Sequence, residues 1–324
     1  MTRKYFKAII GGITALMALN GVSFAADVDY NKKYKLSIAS GSSGGTYYMV
    51  GTALSQVMQR VDPNLICSSE ATGGTSENIS LISSEESSIG MGMADDIVSA
   101  YMGKRDYEGM PADNLRVIAA GSANTFQIFV LADSDIKTLA DLKGKKVSLG
   151  PAGAPYFASD LLESTHGYIK GKDYKGQYLA HDQAADALSD GNVDAVIVTI
   201  AFPGSAFSNL AFTKNIRVIS LTDEERKAAM AAHGTWVPST MPANTYNGQK
   251  EDAQSLAIPV WLFTYAAMDD DAIYRAAKAI FENTDKLRLI TPEAGKYSLA
   301  TALQGIMIPV HPGAQKYIDE AKAK

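Results

Sequence analysis

Cysteine is almost absent from this chain, in which Cys67 is the single one among 324 residues. One cysteine cannot form an intramolecular disulfide. The sequence also contains no CxxC, HExxH or EF-hand pattern, so the common short motifs of metal sites are missing. Cys67 lies in a segment that is typical of a strand, residues 65–68, and we interpret it as a small core residue.

Basic stripes and long apolar runs are missing as well. The formal net charge is −5, and an acidic chain of this kind is not typical of proteins that bind nucleic acid or anionic lipid. After the first 25 residues, no apolar run approaches the roughly 18 residues that a membrane helix needs. We therefore expect neither a nucleic-acid partner nor a membrane helix in the remaining chain.

The first 25 residues have the composition of a secretory signal peptide. Three basic residues, the last of them Lys7, precede the apolar residues 8–19, and Ala25 ends a small-residue cleavage motif. The apolar stretch is too short for a stable membrane span. We expect cleavage near Ala25 and a soluble periplasmic protein of residues 26–324. Without the three basic residues, the net charge of −5 becomes −8.

Strand and helix patterns alternate along the mature chain, which predicts an α/β fold with mainly parallel sheets. A chain of roughly 300 residues favours two lobes. We expect it to cross between lobes near residues 126–130 and to return near residues 256–265. The expected division is lobe 1, residues 26–125 plus 262–324, and lobe 2, residues 126–261.

The most informative segment is residues 36–48, where an apolar strand runs into a Ser/Gly loop that opens a helix. Glycines allow backbone N–H groups to converge, and a helix N-terminus adds unpaired donors with a partial positive charge. This arrangement binds carboxylate or phosphate, so the loop predicts an anionic ligand. The apolar residues of the helix have the spacing of one buried face, at Val50, Ala53, Leu54, Val57, Met58 and Val61.

A second strand–loop–helix unit starts more than a hundred residues later. Its strand is predicted at residues 146–150, and its loop is Pro-Ala-Gly-Ala-Pro at 151–155. We expect one such unit in each lobe, with the two loops facing each other across a cleft.

Five motifs follow one another along residues 26–324. They are Gly-Gly-Thr-Tyr-Tyr at 44–48, Ala-Thr-Gly-Gly-Thr-Ser-Glu-Asn at 71–78, Asp-Leu-Lys-Gly-Lys-Lys-Val at 141–147, Ala-Leu-Ser-Asp-Gly-Asn-Val-Asp-Ala at 187–195 and His-Pro-Gly-Ala-Gln-Lys-Tyr at 311–317. In this combination and order the chain resembles the TAXI family, the extracytoplasmic solute receptors of TRAP transporters.

The resemblance implies a two-lobed, type II-like periplasmic binding protein with its ligand in the interlobe cleft. Such a receptor closes over a small carboxylate or amino acid, glutamate or 2-oxoglutarate being the usual suggestions, and hands it to an ion-driven TRAP membrane permease. No ATP and no bound cofactor are implied, we expect no enzyme activity, and receptors of this kind are usually expected to be monomeric.

The chain departs from the family pattern at two places. Where relatives carry a Gly-Ser-Gly-Thr-like loop in the second lobe, this sequence has Gly153, Ala154, Pro155 and Tyr156. Hydroxyl groups are lost, and proline removes a backbone donor. An acidic residue common before the hinge strand is replaced by Asn124. Both changes make the second half of the predicted site less polar.

The loops supply the candidate ligand contacts. The first two loops offer donors to a carboxylate, Asp95 offers an acceptor for an ammonium or hydroxyl, and residues across the cleft bury ligand carbon. In contrast, Glu77 in a first helical turn favours the helix dipole with or without ligand. The candidates are Ser42, Gly44, Gly45, Thr46, Tyr47, Thr72, Gly74, Thr75, Asn78, Asp95, Gln127, Tyr156, Phe202 and Pro203.

Two alternatives remain open. A receptor of this kind can deliver its ligand to a signalling partner instead of a permease. Residues 41–45 also match G-x-S-x-G, the nucleophile elbow of serine hydrolases, with Ser43 as nucleophile. Hydrolysis is the less favoured reading, because Ser43 follows the first strand of the mature chain and none of the four histidines is a convincing partner.

Overall fold

A computed structural model of the chain describes residues 28–151 and 156–323. The predicted signal peptide and the loop residues Gly153, Ala154 and Pro155 lie outside the described residues. Within the described residues, no helix is long and apolar enough to cross a membrane.

Ten strands form one mixed sheet, in the order β2-β1-β3-β10-β4-β7-β5-β6, with β8 paired to β4 and β9 paired to β10. The strands β1, β2 and β3 are parallel to one another, as are β5, β6 and β7. The strands are β1 Tyr34–Gly41, β2 Leu65–Ala71, β3 Ile89–Met93, β4 Leu115–Leu131, β5 Lys146–Ser148, β6 Lys175–Gln177, β7 Ala195–Ile200, β8 Ile216–Val218, β9 Val237–Met241 and β10 Ala253–Tyr265.

Helices flank this sheet, and they connect the parallel strands as the alternating pattern predicts. Short 3₁₀ turns occur at Arg105–Tyr107, Leu139–Leu142 and Ala294–Lys296. The helices are α1 Thr46–Val61, α2 Thr75–Ser83, α3 Ala94–Tyr101, α4 Phe157–His166, α5 His181–Ser189, α6 Ser205–Thr213, α7 Asp223–Ala232, α8 Asp270–Phe281, α9 Thr284–Ile290 and α10 Pro312–Lys322.

The predicted helix after the first Gly loop is α1. Its apolar stripe is buried against the sheet from Val50 to Met58, which confirms the predicted face. Val61 is the exception: it is 37% exposed at the last turn, where the helix ends and the chain turns toward β2. Cys67 of β2 is 5% exposed and packs in the core, as predicted.

Two long antiparallel strands, β4 and β10, occupy the centre of the sheet. The first part of β4 pairs with β10, and the part from Thr125 to Phe129 pairs with β7. Similarly, β10 pairs with β9 through its first residues and with β3 through its last. Both strands therefore contribute to both halves of the sheet.

The sequence pattern predicts two short strands here, residues 116–120 and 126–132, but β4 is one continuous strand of 17 residues. Residues 123–125 continue the ladder with β10, and the register shifts at residues 121–122. Position 121 requires glycine, because a ring carbon of Tyr297 lies 2.1 Å from where a Cβ would be and leaves no space for a side chain. Glycine therefore marks a close packing contact here, and not a turn.

One buried ion pair fixes the end of α1. Arg275 of α8 is fully buried, and its Nε and Nη2 atoms donate to the two carboxylate oxygens of Asp62, both at 2.7 Å. Its Nη1 atom donates to the backbone carbonyls of Asp29 and Lys32 at 2.9 and 2.8 Å. All three guanidinium nitrogens are thus bonded, which joins α8, the C-cap of α1 and the chain before β1.

We predict that Arg275→Met lowers the free energy of unfolding by about 3–5 kcal/mol, because it leaves the largely buried carboxylate of Asp62 without its partner. Arg288→Met is the matched control, since the Arg288–Asp285 pair is exposed and such pairs contribute about 0–1 kcal/mol. Urea denaturation of the mature chain measures both. Equal losses for the two variants would contradict the assigned role of Arg275.

Candidate functional site

A cavity of about 300 Å³ lies where β1, β2 and β7 end. The first Gly loop and the start of α1 form one wall, the loop before α2 forms the second, and side chains of β4 with the end of β7 form the third. Its lining residues are Gly41, Ser42, Gly45, Thr46, Tyr47, Gly73, Gly74, Ser122, Asn124, Ile200, Ala201 and Glu293. We call this space the loop cavity.

Two helices begin at the loop cavity without a side-chain cap. Gly45 precedes α1 and Gly74 precedes α2, and neither N-cap residue has a side chain that accepts a hydrogen bond from the first turn of its helix. Gly74 has φ of 106°, a conformation that favours glycine. Uncapped N-termini leave N–H donors available and carry a partial positive charge. Two of them on one cavity make it suited to an anion.

A group of neutral side chains joins the walls of the loop cavity. Tyr47 interacts with the side chains of Thr75 of α2 and Asn124 of β4, and burial raises the pKa of Tyr47 above its usual range. The phenol therefore stays protonated. Asn124 contributes an amide to this wall and adds no negative charge.

Glu293 is the one acid that lines the loop cavity. Its carboxylate pairs with the ammonium group of Lys296 at 2.7 Å, within a short 3₁₀ turn. The pair offsets the negative charge of Glu293, so the donors of the two helix N-termini set the local preference for an anion.

A second cavity, of about 500 Å³, adjoins the first, and Gly73 lines both. We call it the tyrosine cavity. One side of it is formed by α2, α3 and the 3₁₀ turn at Arg105–Tyr107, and the other side by Tyr156 and Tyr178. The lining residues are Gly73, Thr75, Ser76, Met93, Asp96, Ser99, Arg105, Asp106, Tyr107, Tyr156 and Tyr178.

Two charged side chains of the tyrosine cavity, Arg105 and Asp96, differ in whether they have a partner. Arg105 donates to Asp160 of α4 at 2.7 Å. In contrast, within residues 28–151 and 156–323 the Asp96 carboxylate has no hydrogen bond and no ion pair. Burial and the adjacent Asp95 raise the pKa of Asp96 to about 7, an effect that Arg105 only partly offsets.

Seven predicted contacts line the loop cavity or the tyrosine cavity. Ser42, Gly45, Thr46, Tyr47 and Gly74 line it, whereas Thr75 and Tyr156 line the tyrosine cavity. Gly44 has φ of 86° in the turn of the first loop and lines neither cavity. Thr72 accepts a hydrogen bond from the Gly74 N–H at 3.2 Å, which fixes the second loop.

Three predicted contacts are committed to other parts of the protein. Asn78 is fully buried, and its amide donates to the backbone carbonyls of Ser40 and Met91, both at 2.7 Å. Gln127 is also fully buried; it donates to the Ile200 carbonyl at 2.9 Å and accepts from the hydroxyl of Tyr246. Neither side chain lines the loop cavity or the tyrosine cavity.

Asp95 is the third. Its carboxylate oxygens accept hydrogen bonds from the Thr235 hydroxyl and, at 2.8 Å, from the indole N–H of Trp236. Desolvation raises the pKa of Asp95. The ring of His233 stacks on Trp236 at 4.1 Å, and desolvation lowers the pKa of His233. Asp95 therefore joins α3 to the segment before β9, and its neighbour in sequence, Asp96, faces the cavity.

The predicted lid residues Phe202 and Pro203 lie elsewhere. A third cavity of about 370 Å³ is lined by Phe202 together with Gly121, Ala123 and Thr125 of β4. Alternate residues of a strand point to opposite faces, so this cavity lies across β4 from Ser122 and Asn124. Pro203 is exposed and follows a cis peptide bond.

Glu77 and Ser43 behave as expected of non-ligand residues. The Glu77 carboxylate accepts a hydrogen bond from the Gly73 N–H at 2.7 Å, so it occupies one donor of the second loop. Ser43 is exposed, and no histidine bonds it within the described residues. The geometry thus gives no support to a serine nucleophile.

Several lining residues escaped the sequence analysis. Ser122, Ile200, Ala201 and Glu293 reach the loop cavity from distant parts of the chain, while Asp96, Tyr107 and Tyr178 reach the tyrosine cavity. Alternation along a central strand is the signal that points to Ser122 beside Asn124. For Glu293 and Tyr178 the sequence offers no local signal.

Comparison with known proteins extends these observations. Residues 38–321 match the NMT1-like family. The chain is similar to a TctC solute-binding protein from Polaromonas, with 13% identity over 90% of this chain and 98% of that chain and a TM-score of 0.56. It is also similar to the periplasmic aliphatic sulphonate binding protein SsuA from Escherichia coli, with 17% identity over 89% and 84% and a TM-score of 0.52.

A third similar structure is a probable amino-acid transporter extracellular-binding protein from Bacillus subtilis, with 15% identity over 82% of this chain and 99% of that chain and a TM-score of 0.50. These likenesses confirm the predicted α/β fold of periplasmic solute-binding proteins. Each of these three structures is named as a binding protein.

We predict that Asp96→Asn stabilises the protein above pH 7 and has little effect near pH 4. The ordinary pKa of this group is 3.8, and the folded value is about 7. Between these values the unfolded chain loses the proton first, so stability falls as pH rises. At about 1.4 kcal/mol per pKa unit, the gain at pH 8 is on the order of 1–4 kcal/mol.

Urea denaturation at pH 4.5 and pH 8 measures this gain, with the exposed Asp113→Asn as the control for loss of one charge. A difference between wild type and Asp96→Asn that does not change with pH would show that Asp96 is not a half-buried, unpaired carboxylate.

Proposed function

Because the chain belongs to the NMT1-like family, whose match spans residues 38–321, we propose that it is the extracytoplasmic receptor of a TRAP-type secondary transporter. In this proposal the TAXI-like protein captures a small carboxylate or amino acid in the periplasm and delivers it to the membrane permease. The observation that carries the proposal is the pair of uncapped helix N-termini on the loop cavity.

A carboxylate is the ligand group that best matches those donors. The N–H groups at the starts of α1 and α2 are neutral, and together with the hydroxyl groups of Ser42 and Thr46 they can surround one anionic group. A volume of about 300 Å³ is at the lower end of small-molecule sites. One similar protein is named for a sulphonate, which is also an anion.

Closure of a cleft is the second part of the proposal. We propose lobe 1 as residues 26–125 plus 262–324 and lobe 2 as residues 126–261, with β4 and β10 as the crossing strands. Ala201 and Tyr156 then face the Gly loops from lobe 2. A ligand that contacts both lobes stabilises the closed state by its differential affinity for that state.

We predict that small carboxylates raise the melting temperature of residues 26–324, after unfolding and refolding to remove carried ligand. A ligand at about 1,000 times its Kd adds roughly 4 kcal/mol, which corresponds to several degrees for a chain of this size. Thr46→Glu should weaken carboxylate binding at least about tenfold, because it places a like charge at the start of α1. Calorimetric titration measures the affinity.

Ser80→Glu is the matched control, since it adds the same charge on the exposed side of α2 and lines neither cavity. Equal loss of affinity in both variants, or no binding across a panel of carboxylates and amino acids, would contradict the proposal. In liposomes with the TRAP permease, uptake should follow an ion gradient without ATP, and a requirement for ATP would contradict the transporter class.

A further inference from the structure

The loop cavity and the tyrosine cavity differ in charge, although Gly73 lines both. At the loop cavity, the N-termini of α1 and α2 have no side-chain cap. The tyrosine cavity contains the Asp96 carboxylate, which has no partner among the described residues. A ligand that extends from one cavity into the other therefore meets an anion-binding end and an acidic end.

Two cations close to the tyrosine cavity are engaged with other groups. Arg105 lines the cavity, but its guanidinium binds Asp160 at 2.7 Å, with its central carbon 5.9 Å from the ring centroid of Tyr156. Lys170 donates to the hydroxyl of the lining residue Tyr178 at 2.7 Å. Both groups thus have partners, whereas the Asp96 carboxylate has no hydrogen bond or ion pair among the described residues.

Asp95 and Asp96 both stand in the first turn of α3, where acids stabilise a helix. The two carboxylates differ in their partners. Asp95 is held by Thr235 and Trp236, and Asp106 adds a further exposed carboxylate to the cavity wall. A second negative charge beside Asp95 costs stability, which a ligand cation would recover.

The tyrosines complete a site for an organic cation. Tyr107, Tyr156 and Tyr178 line the cavity, and Tyr156 is 50% exposed. Aromatic rings can bury the methylene carbons of a ligand and attract a positive group. The second carboxylate of a dicarboxylate would instead lie beside Asp96 and Asp106, where like charges repel.

We propose that the ligand is a zwitterion with an ammonium or similar cation separated by a carbon chain from its carboxylate, and not a dicarboxylate. The carboxylate binds in the loop cavity, and Asp96 is the counter-ion of the cation in the tyrosine cavity. This inference rests on the proposed function, because it assigns the second end of the same ligand.

Three five-carbon probes isolate the cation: 5-aminopentanoate, pentanoate and glutarate. Calorimetric titrations at pH 8 with residues 26–324 compare them, and the same comparison is repeated for chains of three to six carbons. For the chain length that fits best, the amino acid should bind at least tenfold more tightly than the matched alkanoate and the matched dicarboxylate. This comparison uses the wild-type protein and needs no variant.

Asp96→Asn should remove that preference by tenfold or more and leave the affinity for the alkanoate within twofold. The distant, exposed Asp113→Asn should leave all three affinities unchanged. Tighter binding of the dicarboxylate than of the amino acid would overturn the inference and leave the proposed receptor standing. A preference that survives in Asp96→Asn would overturn the role of Asp96. Absence of binding by every carboxylate would reject the receptor proposal itself.

Discussion

The antiparallel pairing of β4 with β10 is the constraint on which the rest of the structure depends. Eight registered residue pairs join the two strands, from Ala257 opposite Thr125 to Tyr265 opposite Leu115. Each strand then continues into the other half of the sheet. This pairing brings the end of β7 opposite the Gly loops, and it turns Ser122 and Asn124 toward the loop cavity. The site therefore exists only because two central strands span both halves.

The polar groups without partners indicate what the cleft can bind, and the groups with partners do not. Buried polar groups in proteins normally find partners, because an unmade hydrogen bond or ion pair is costly. Several groups here follow that rule, as Gln127 and Asp95 do. The uncapped starts of α1 and α2 and the carboxylate of Asp96 depart from it. Departures of this kind are expected at functional sites, and these lie at one cleft.

The sequence predicted what local patterns determine. The buried stripe of α1, the Gly loops at strand ends and the alternation of strands and helices are encoded within windows of about ten to twenty residues, and the structure contains them. The family resemblance guided the choice of loops, and Ser42, Thr46 and Tyr47 of the first loop do line the cavity.

Partners that are distant in sequence determine which of the predicted contacts are free to face the cavities. Asp95 looks like a ligand acceptor in its own segment, but its partner Trp236 lies 141 residues away. Gln127 likewise meets Tyr246, 119 residues away. Nothing near either residue reveals such a partner, so the sequence could not separate Asp95, which is bonded, from Asp96, which faces the cavity. Gly121 is similar, because its packing against Tyr297 reads locally as a turn.

A crystal structure of residues 26–324 with the tightest-binding carboxylate from the ligand panel tests the central claim most directly. We expect a carboxylate in the loop cavity, with its oxygens within hydrogen-bonding distance of backbone N–H groups at the starts of both α1 and α2. A ligand whose carboxylate lies outside this cavity, or is held by side-chain cations instead of the helix N-termini, would contradict it.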